Sequence, residues 1–151
     1  NATAAICDLS TEVVFTHPGL YQIEVSALKE ALAVMKAKGL AAVALPHSPT
    51  LQLAFALQYL PPKLYQPAFR RALAGGRGNK KPSLHLDLSA GKTRTEVSYL
   101  NGAVARHAEA IGLQAPVNRA LAETLEGIAE RKVAWEEYRG RPDKLALEIV
   151  P

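Results

Sequence analysis

Apolar residues recur at intervals of three and four along most of the chain, which is the spacing of one face of an α-helix. The clearest case is residues 20–38, where an apolar stripe lies opposite most of the charged residues. This stripe consists of Leu20, Ile23, Ala27, Ala31 and Val34. Gly39 follows as a helix stop, and the small alanine side chains permit close helix–helix packing. The pattern therefore predicts a packed scaffold helix.

The same periodicity predicts further helices, which proline and glycine signals separate. They cover residues 3–9, 10–15, 50–60, 63–74, 95–111, 117–128 and 141–150. Pro67 lies inside one of them, so a kink or a late helix start is expected there. Trp135 and Tyr138 are predicted to anchor the tail by packing. The pattern indicates one all-α domain over residues 1–151, with about seven or eight helices.

Residues 84–88 are the one place where the pattern points elsewhere. Leu84, Leu86 and Leu88 alternate with polar residues, which by itself is typical of a strand. No clear partner strand exists elsewhere in the sequence, so a single alternating run is poor evidence for a sheet. His85 in this run is interpreted as a structural residue.

Glu96 is the acidic residue whose position on its predicted helix stands out. At 100° per residue it falls on the edge of an apolar stripe rather than on the solvated face. The stripe consists of Val97, Leu100, Val104, His107 and Ile111. A carboxylate at such a rim is paired, or is a helix-start acid, or is a working group in a cleft. Asn101 borders the same stripe from the opposite flank, and His107 is expected in the core.

Composition narrows the class of protein. With 151 residues and 48% apolar residues, the chain can bury one sizeable core. The sequence contains neither an apolar run of membrane-spanning length nor a secretory signal. Cys7 is alone, so it supplies no disulfide framework and no metal cluster. A reduced, cytoplasmic setting is expected, without membrane or metal.

The net charge of +4 comes largely from basic residues concentrated in residues 70–71 and 77–81, with Lys92 and Arg94 close behind. A nucleic-acid partner would require such a patch together with a recognised motif or exposed aromatic residues. Neither is evident, so no nucleic-acid partner is expected. A solvated loop, or a patch facing a phosphate or carboxylate, fits the charges better.

The stretch from Lys80 to Asn118 carries a dense set of motifs. They are Lys81-Pro82-Ser83, Asp87, Thr95-Glu96, Asn101-Gly102 and Pro116-Val117-Asn118. Their order and spacing resemble the C-terminal domain of the ketopantoate reductase family. The resemblance implies an all-α fold similar to the C-terminal domain of 6-phosphogluconate dehydrogenase. It also implies a helix from Ser83, with Ser83 and Asp87 one turn apart on one face.

The resemblance further implies an activity. Members of the family transfer hydride from NADPH to ketopantoate and form pantoate, on the route to pantothenate and coenzyme A. Their NADP(H) is held mainly by an N-terminal Rossmann domain, which this chain lacks, while the helical domain contacts the substrate and often forms a homodimer. The chain begins in mid-pattern, as if a helix had been cut. We therefore expect a fragment of a longer protein, inactive alone.

Site residues follow from the motif positions. The resemblance assigns Glu96 to the catalytic pair, whose other member is a lysine expected upstream of Asn1. It assigns substrate binding to Ser83, Asn101, Lys80 and Asn1, although Asn1 could equally belong to an expression tag. Lys80 stands near the place of a family asparagine. The interval from Ser83 to Glu96 is one residue longer than in the common family pattern.

Two functions of different classes remain open. One is the substrate-binding and dimerising domain of an NADPH-dependent reductase, acting on ketopantoate or on a different 2-keto acid. The other is a helical interaction or regulatory module that shares ancestry but not catalysis. The near-family spacing of Ser83, Asp87, Glu96 and Asn101 favours the reductase.

Overall fold

The computed structural model describes residues 2–46, 48–67 and 83–149 of the chain. These residues form an all-α structure, as the hydrophobic pattern predicts. Their helices are α1 Ala2–Cys7, α2 Thr11–Thr16, α3 Pro18–Ala37, α4 Thr50–Tyr59, α5 at residues 62–67, α6 Ser83–Ser89, α7 Asn101–Ala110, α8 Pro116–Ala129 and α9 Pro142–Ile149. Two short 3₁₀ segments, Glu96–Tyr99 and Trp135–Glu137, complete the described elements.

Helix α3 is the central element, because α2, α4, α7, α8 and α9 all pack against it. Its start is set by His17, whose Nδ1 accepts a hydrogen bond from the Leu20 amide at 3.3 Å, and by Pro18 in the first turn. Its end is set by Gly39, which has a φ of +69°. The helix predicted for residues 20–38 is therefore confirmed, with its start two residues earlier and its end one residue earlier than predicted.

Helices α3 and α9 cross at Gly19. Gly19 permits this contact, since a Cβ atom there would lie 2.6 Å from the Cβ of Ala146. Next to the crossing, His17 Nε2 lies 3.2 Å from a carboxylate oxygen of Asp143. A side chain at position 19 would push α9 away from α3, so the glycine has a packing role.

Helix α1 lies in the interior, with all six of its residues buried. It packs against α6 and α8, whose buried faces include Leu84, Leu121 and Leu125. Burial raises the pKa of the Cys7 thiol to about 12. Because the thiolate is the reactive form of cysteine, Cys7 is a core residue rather than a nucleophile at neutral pH.

The helix predicted from residue 95 to residue 111 is wrong in its first third. Glu96–Tyr99 is a 3₁₀ segment, and Leu100 leaves helical geometry at φ −101° and ψ −93° before α7 begins. The break changes the direction of every side chain relative to a single helical wheel. Leu100 and Ile111 are consequently exposed, and His107 is also exposed rather than in the core. Its Nδ1 lies 3.3 Å from Nζ of Lys38.

Residues 84–88 belong to helix α6 and not to a strand. Leu84, His85 and Leu88 are buried on its inner side, which is helical spacing rather than alternation. The helix predicted for residues 63–74 begins at residue 62 and is helical through residue 67. The rest of the predicted range lies outside the described residues. Among the helices that the structure describes, none has both the length and the apolar character needed to cross a membrane.

Candidate functional site

Ser83 and Asp87 share the outward side of α6. They are four residues apart, so they lie one turn apart on the same face. Ser83 is exposed and Asp87 is half-buried, while Leu84 and Leu88 face the core. The inward leucines fix the rotation of the helix and thereby hold both polar side chains at the surface.

Lys92 connects this face to the segment that carries Glu96. Gly91, with φ +69°, turns the chain after α6, and the Lys92 Nζ then lies 2.6 Å from Oδ1 of Asp87. The hydrogen bond that Lys92 donates to Asp87 and the negative charge of Asp87 raise the pKa of Lys92, and the charge of Glu96 raises it further. The ammonium group therefore lies within electrostatic reach of two carboxylates. Apart from the interval between Ser83 and Glu96, which is one residue longer than in the common family pattern, nothing in the sequence indicates this role.

Glu96 is exposed at the start of its 3₁₀ segment, where Thr95 Oγ1 caps the Val97 amide at 3.4 Å. Within the described ranges, no side chain or amide donates a hydrogen bond to its carboxylate. Of the three interpretations of this residue, the paired carboxylate therefore finds no partner among the described side chains. A helix-start acid and a working group both remain, and an open carboxylate is available to accept a hydrogen bond from a ligand.

Asn101 is held in a different environment. It is half-buried at the start of α7, and its Nδ2 donates to Oδ1 of Asn118 on α8 at 2.9 Å. Asn118 in turn contacts Glu30 of α3. The expectation that Asn101 borders one apolar stripe together with Glu96 is wrong, because the break at Leu100 separates their helical phases.

Gly102, the second member of the Asn101-Gly102 pair, is buried where α7 approaches α8. A Cβ atom at this position would lie 3.1 Å from the Arg106 guanidinium and 3.8 Å from the Cβ of Ala122. The Arg106 guanidinium donates to the carbonyl of Ser98 at 2.9 Å. Glycine here leaves room for Arg106 to tie α7 to the 3₁₀ segment that carries Glu96.

Three of the five predicted site residues can thus be placed. Ser83 and Glu96 belong to one exposed surface that is continuous through Asp87 and Lys92, and Asn101 belongs to the network of Asn118. Asn1 and Lys80 lie outside the described residues. Within the described ranges, no group of three or more histidine, cysteine, aspartate or glutamate residues could hold a metal ion.

Two cavities of about 370 and 510 Å³ lie beside α4. Both are lined by Leu32, Met35, Ala41, Ala42 and Ala54, and none of the predicted site residues lines them. Their walls are mainly aliphatic and carry no carboxylate. They therefore belong to a separate apolar surface and not to the surface that bears Glu96.

The all-α fold and this series of motifs are together typical of the helical partner domain in one class of oxidoreductases. The family described as ketopantoate reductase PanE/ApbA C terminal matches residues 1–129, and the chain belongs to this family. Searches of the curated proteins and of the solved structures found no match to the chain. The resemblance inferred from the motifs is thereby confirmed at the level of the family.

Proposed function

We propose that the chain is the substrate-binding domain of an NADPH-dependent reductase that acts on a 2-keto acid, with ketopantoate as the first candidate. The main support is the exposed surface that carries Ser83 and Glu96, both of which are residues of the family motif. The Asp87–Lys92 ion pair lies between them. Formation of pantoate for pantothenate and coenzyme A is part of the proposal. A cytoplasmic location fits the lone buried Cys7.

The proposed chemistry sets requirements for this surface. Reduction of a ketone needs a proton for the developing alkoxide and groups that hold the substrate in place. Glu96, as an open carboxylate, accepts a hydrogen bond from a substrate hydroxyl and orients it. Ser83 offers a hydroxyl one turn from Asp87. The positive charge of Lys92 offsets one of the two carboxylates, which lowers the repulsion that an anionic substrate meets at this surface.

The described residues do not fit an NADP(H) site. A dinucleotide site uses a glycine-rich turn between a parallel strand and a helix, and the described ranges consist of helices, turns and connectors. When bound, the nicotinamide supplies hydride. In our proposal a separate domain holds the cofactor, and this domain holds and orients the keto acid.

The test is NADPH oxidation by the full-length protein with ketopantoate and a small panel of other 2-keto acids. We expect turnover with at least one of them, measured as the loss of the absorbance of NADPH. Turnover with a keto acid other than ketopantoate would keep the mechanism and change the substrate. Absence of turnover with every member of the panel would contradict the reductase and favour a regulatory module.

We also propose that the chain forms a homodimer through an apolar surface around α4. The α4 surface is defined by nine large apolar side chains that are more than a third exposed. They are Leu28, Leu40, Val43, Leu45, Leu51, Phe55, Tyr59, Leu60 and Leu64. Leu28 in the middle of α3 belongs to this surface, whereas most apolar residues in the first half of α3 are buried within the chain.

Both size and charge support a second copy as the partner. Phe55 and Tyr59 are 57% and 62% exposed, and their rings lie 5.1 Å apart. At roughly 200 Å² per aromatic side chain they expose roughly 240 Å², a large part of the ~800 Å² that each partner buries in a standard interface. Residues 39–62 contain no aspartate, glutamate, lysine or arginine. An uncharged surface meets its own copy across a two-fold axis without like-charge repulsion.

Light scattering tests this interface. The wild-type protein is expected at twice the mass of one chain, and the double variant Phe55→Glu/Tyr59→Glu at the mass of one chain, because four carboxylates would be buried in the dimer. Leu147→Glu is the matched control, since Leu147 is 79% exposed on α9 outside this surface. A wild-type protein that stays monomeric at high concentration would contradict the dimer. Lost turnover at unchanged mass would indicate that the surface contacts the cofactor domain.

A further inference from the structure

Three side chains from three helices form one hydrogen-bonded chain. The Glu30 carboxylate on α3 accepts hydrogen bonds from the amides of Val117 and Asn118 at 2.9 Å each, and from Nδ2 of Asn118 at 2.7 Å. Asn118 Oδ1 then accepts from Nδ2 of Asn101 at 2.9 Å. Helix α8 has no side-chain cap of its own at Ala115, so Glu30 supplies its cap from 87 residues away.

The chemistry of these partners fixes which way each amide points. Asn118 Nδ2 lies between the carbonyl of Ala27, at 2.9 Å, and the Glu30 carboxylate. Both partners are acceptors only, so the NH₂ group of Asn118 must face them and its Oδ1 must face Asn101. Asn101 must therefore direct its own NH₂ group inward, toward Oδ1 of Asn118. Its Oδ1 is left pointing outward.

The helix that Asn101 begins packs against the segment that carries Glu96. Asn101 begins α7 directly after Leu100, and the 3₁₀ segment that carries Glu96 packs against both α7 and α8. In the part of the chain that the structure describes, Asn101 Oδ1 accepts no hydrogen bond, and it is not among the buried polar atoms. The Glu96 carboxylate and the Asn101 amide oxygen, both acceptors, are thus carried by two segments that pack against each other. Only a hydrogen-bond donor can satisfy them.

We propose that Glu30 and Asn118 are positioning residues that hold the Asn101 carboxamide with Oδ1 toward the substrate, where it accepts a hydrogen bond from a donor group such as a hydroxyl. This inference rests on the proposed reductase function. It assigns Asn101 the recognition of one functional group of the substrate. Glu30, which the sequence pattern placed on the solvated side of α3, becomes the residue that sets the orientation.

The experiment compares two 2-keto acids that differ only by one hydroxyl group, with the full-length protein and NADPH. The wild type is expected to prefer the hydroxylated acid in kcat/KM. Asn101→Leu, which keeps the size but removes the acceptor, is expected to lower that preference about tenfold while kcat/KM for the deoxy acid changes less than about twofold. If Asn101 had only a structural role, its substitution would lower kcat/KM for both keto acids alike.

Glu30→Gln tests the positioning role, because the carboxamide offers one acceptor oxygen where the carboxylate binds three N–H groups with two, which weakens the hold on both asparagines. It is expected to lower the same preference several-fold. Glu123→Gln is the matched control, since Glu123 is exposed on α8. An active wild type whose preference is unchanged by Asn101→Leu or by Glu30→Gln would overturn this proposal alone. A wild type that reduces no 2-keto acid would overturn the proposed function, and this proposal with it.

A measurement on the wild type covers the case in which a variant does not fold. In full-length protein labelled with ¹³C and ¹⁵N at asparagine, the hydroxylated acid is expected to shift the side-chain carbonyl signal of Asn101, and the deoxy acid is not. The side-chain NH₂ protons of Asn118 should exchange slowly with solvent because both are hydrogen-bonded. Equal shifts with the two acids, or rapid exchange at Asn118, would overturn the proposed orientation.

Discussion

Replacing Glu96 with alanine in the full-length protein is expected to lower kcat by ten- to a hundredfold. The carboxylate is exposed, and no described residue donates a hydrogen bond to it, so its removal leaves the fold intact. What is lost is the acceptor that orients the substrate, and orientation contributes mainly in the transition state. Steady-state NADPH oxidation measures the effect, and thermal unfolding should show little change.

The competing interpretation of Glu96 is a helix-start acid, and it has a matched control. Glu12 is an exposed acid in the first turn of α2, after the Ser10 cap, as Glu96 follows Thr95. Acids at such positions contribute a few tenths of a kcal/mol to about 1 kcal/mol of stability. Glu12→Ala should therefore leave kcat unchanged. Near-normal turnover of Glu96→Ala, with a stability loss equal to that of Glu12→Ala, would remove Glu96 from the catalytic residues.

Features that depend on local sequence were predictable. Helix α3 has an uninterrupted apolar period, a histidine–proline start and a glycine stop, so its bounds agree with the pattern to within two residues. Helix α6 is different, because its alternating leucines fit a strand as well as a helix. The family resemblance, rather than the pattern, decided that case in favour of the helix.

The break at Leu100 shows why the candidate site was only partly predictable. Residues 96–111 keep a helical apolar period, no proline occurs among them, and their one glycine, Gly102, lies inside α7 rather than at the break. A 3₁₀ segment has three residues per turn instead of 3.6, so a wheel drawn through both segments assigns wrong directions. The interior position predicted for His107 failed for this reason. Glu96, which the wheel placed at a rim, is fully at the surface.

The Glu30–Asn118 contact shows a second limit. Glu30 follows Lys29 on the side of α3 that the pattern marks as polar, and nothing nearby in the sequence distinguishes it. Only the packing of α8 against α3 gives this carboxylate two backbone amides to cap. A missing local cap at Ala115 is a signal that a distant partner is needed, but it does not identify the partner.

The described chain continues past the family match, from residue 130 to residue 149. This tail contacts the core at Asp8 and at the end of α1. Trp135 Nε1 donates to the carbonyls of Ala5 and Ile6, at 3.1 and 2.9 Å. Asp8 accepts from His85 Nε2 at 2.8 Å and from Arg139 Nε at 2.6 Å. The Arg139 guanidinium lies 5.0 Å from the centre of the Trp135 ring. The predicted role of Trp135 as a packing anchor is in agreement with these contacts.

Asp8→Ala is expected to lower the free energy of unfolding by about 3 kcal/mol. The main cause is His85, which is 1% exposed and would lose the acceptor of its Nε2 while it stays buried. Loss of the Arg139 pair adds less than about 1 kcal/mol, because that guanidinium is more than half exposed. Equilibrium unfolding in urea measures the change. The Arg139→Gln variant isolates the smaller contribution.

Backbone strain at Asp8 has to be separated from the loss of its carboxylate, because its φ is +52°. This region disfavours alanine by about 1–2 kcal/mol and is tolerated by glycine and asparagine. Asp8→Asn keeps an acceptor for His85 and should lower the free energy of unfolding by about 1 kcal/mol. Asp8→Gly removes the acceptor but relaxes the backbone, so its stability should lie between those of the Asn and Ala variants. If Asp8→Gly were as stable as the wild type, strain alone would explain the alanine result. The contact with His85 would then contribute nothing measurable to the free energy of unfolding.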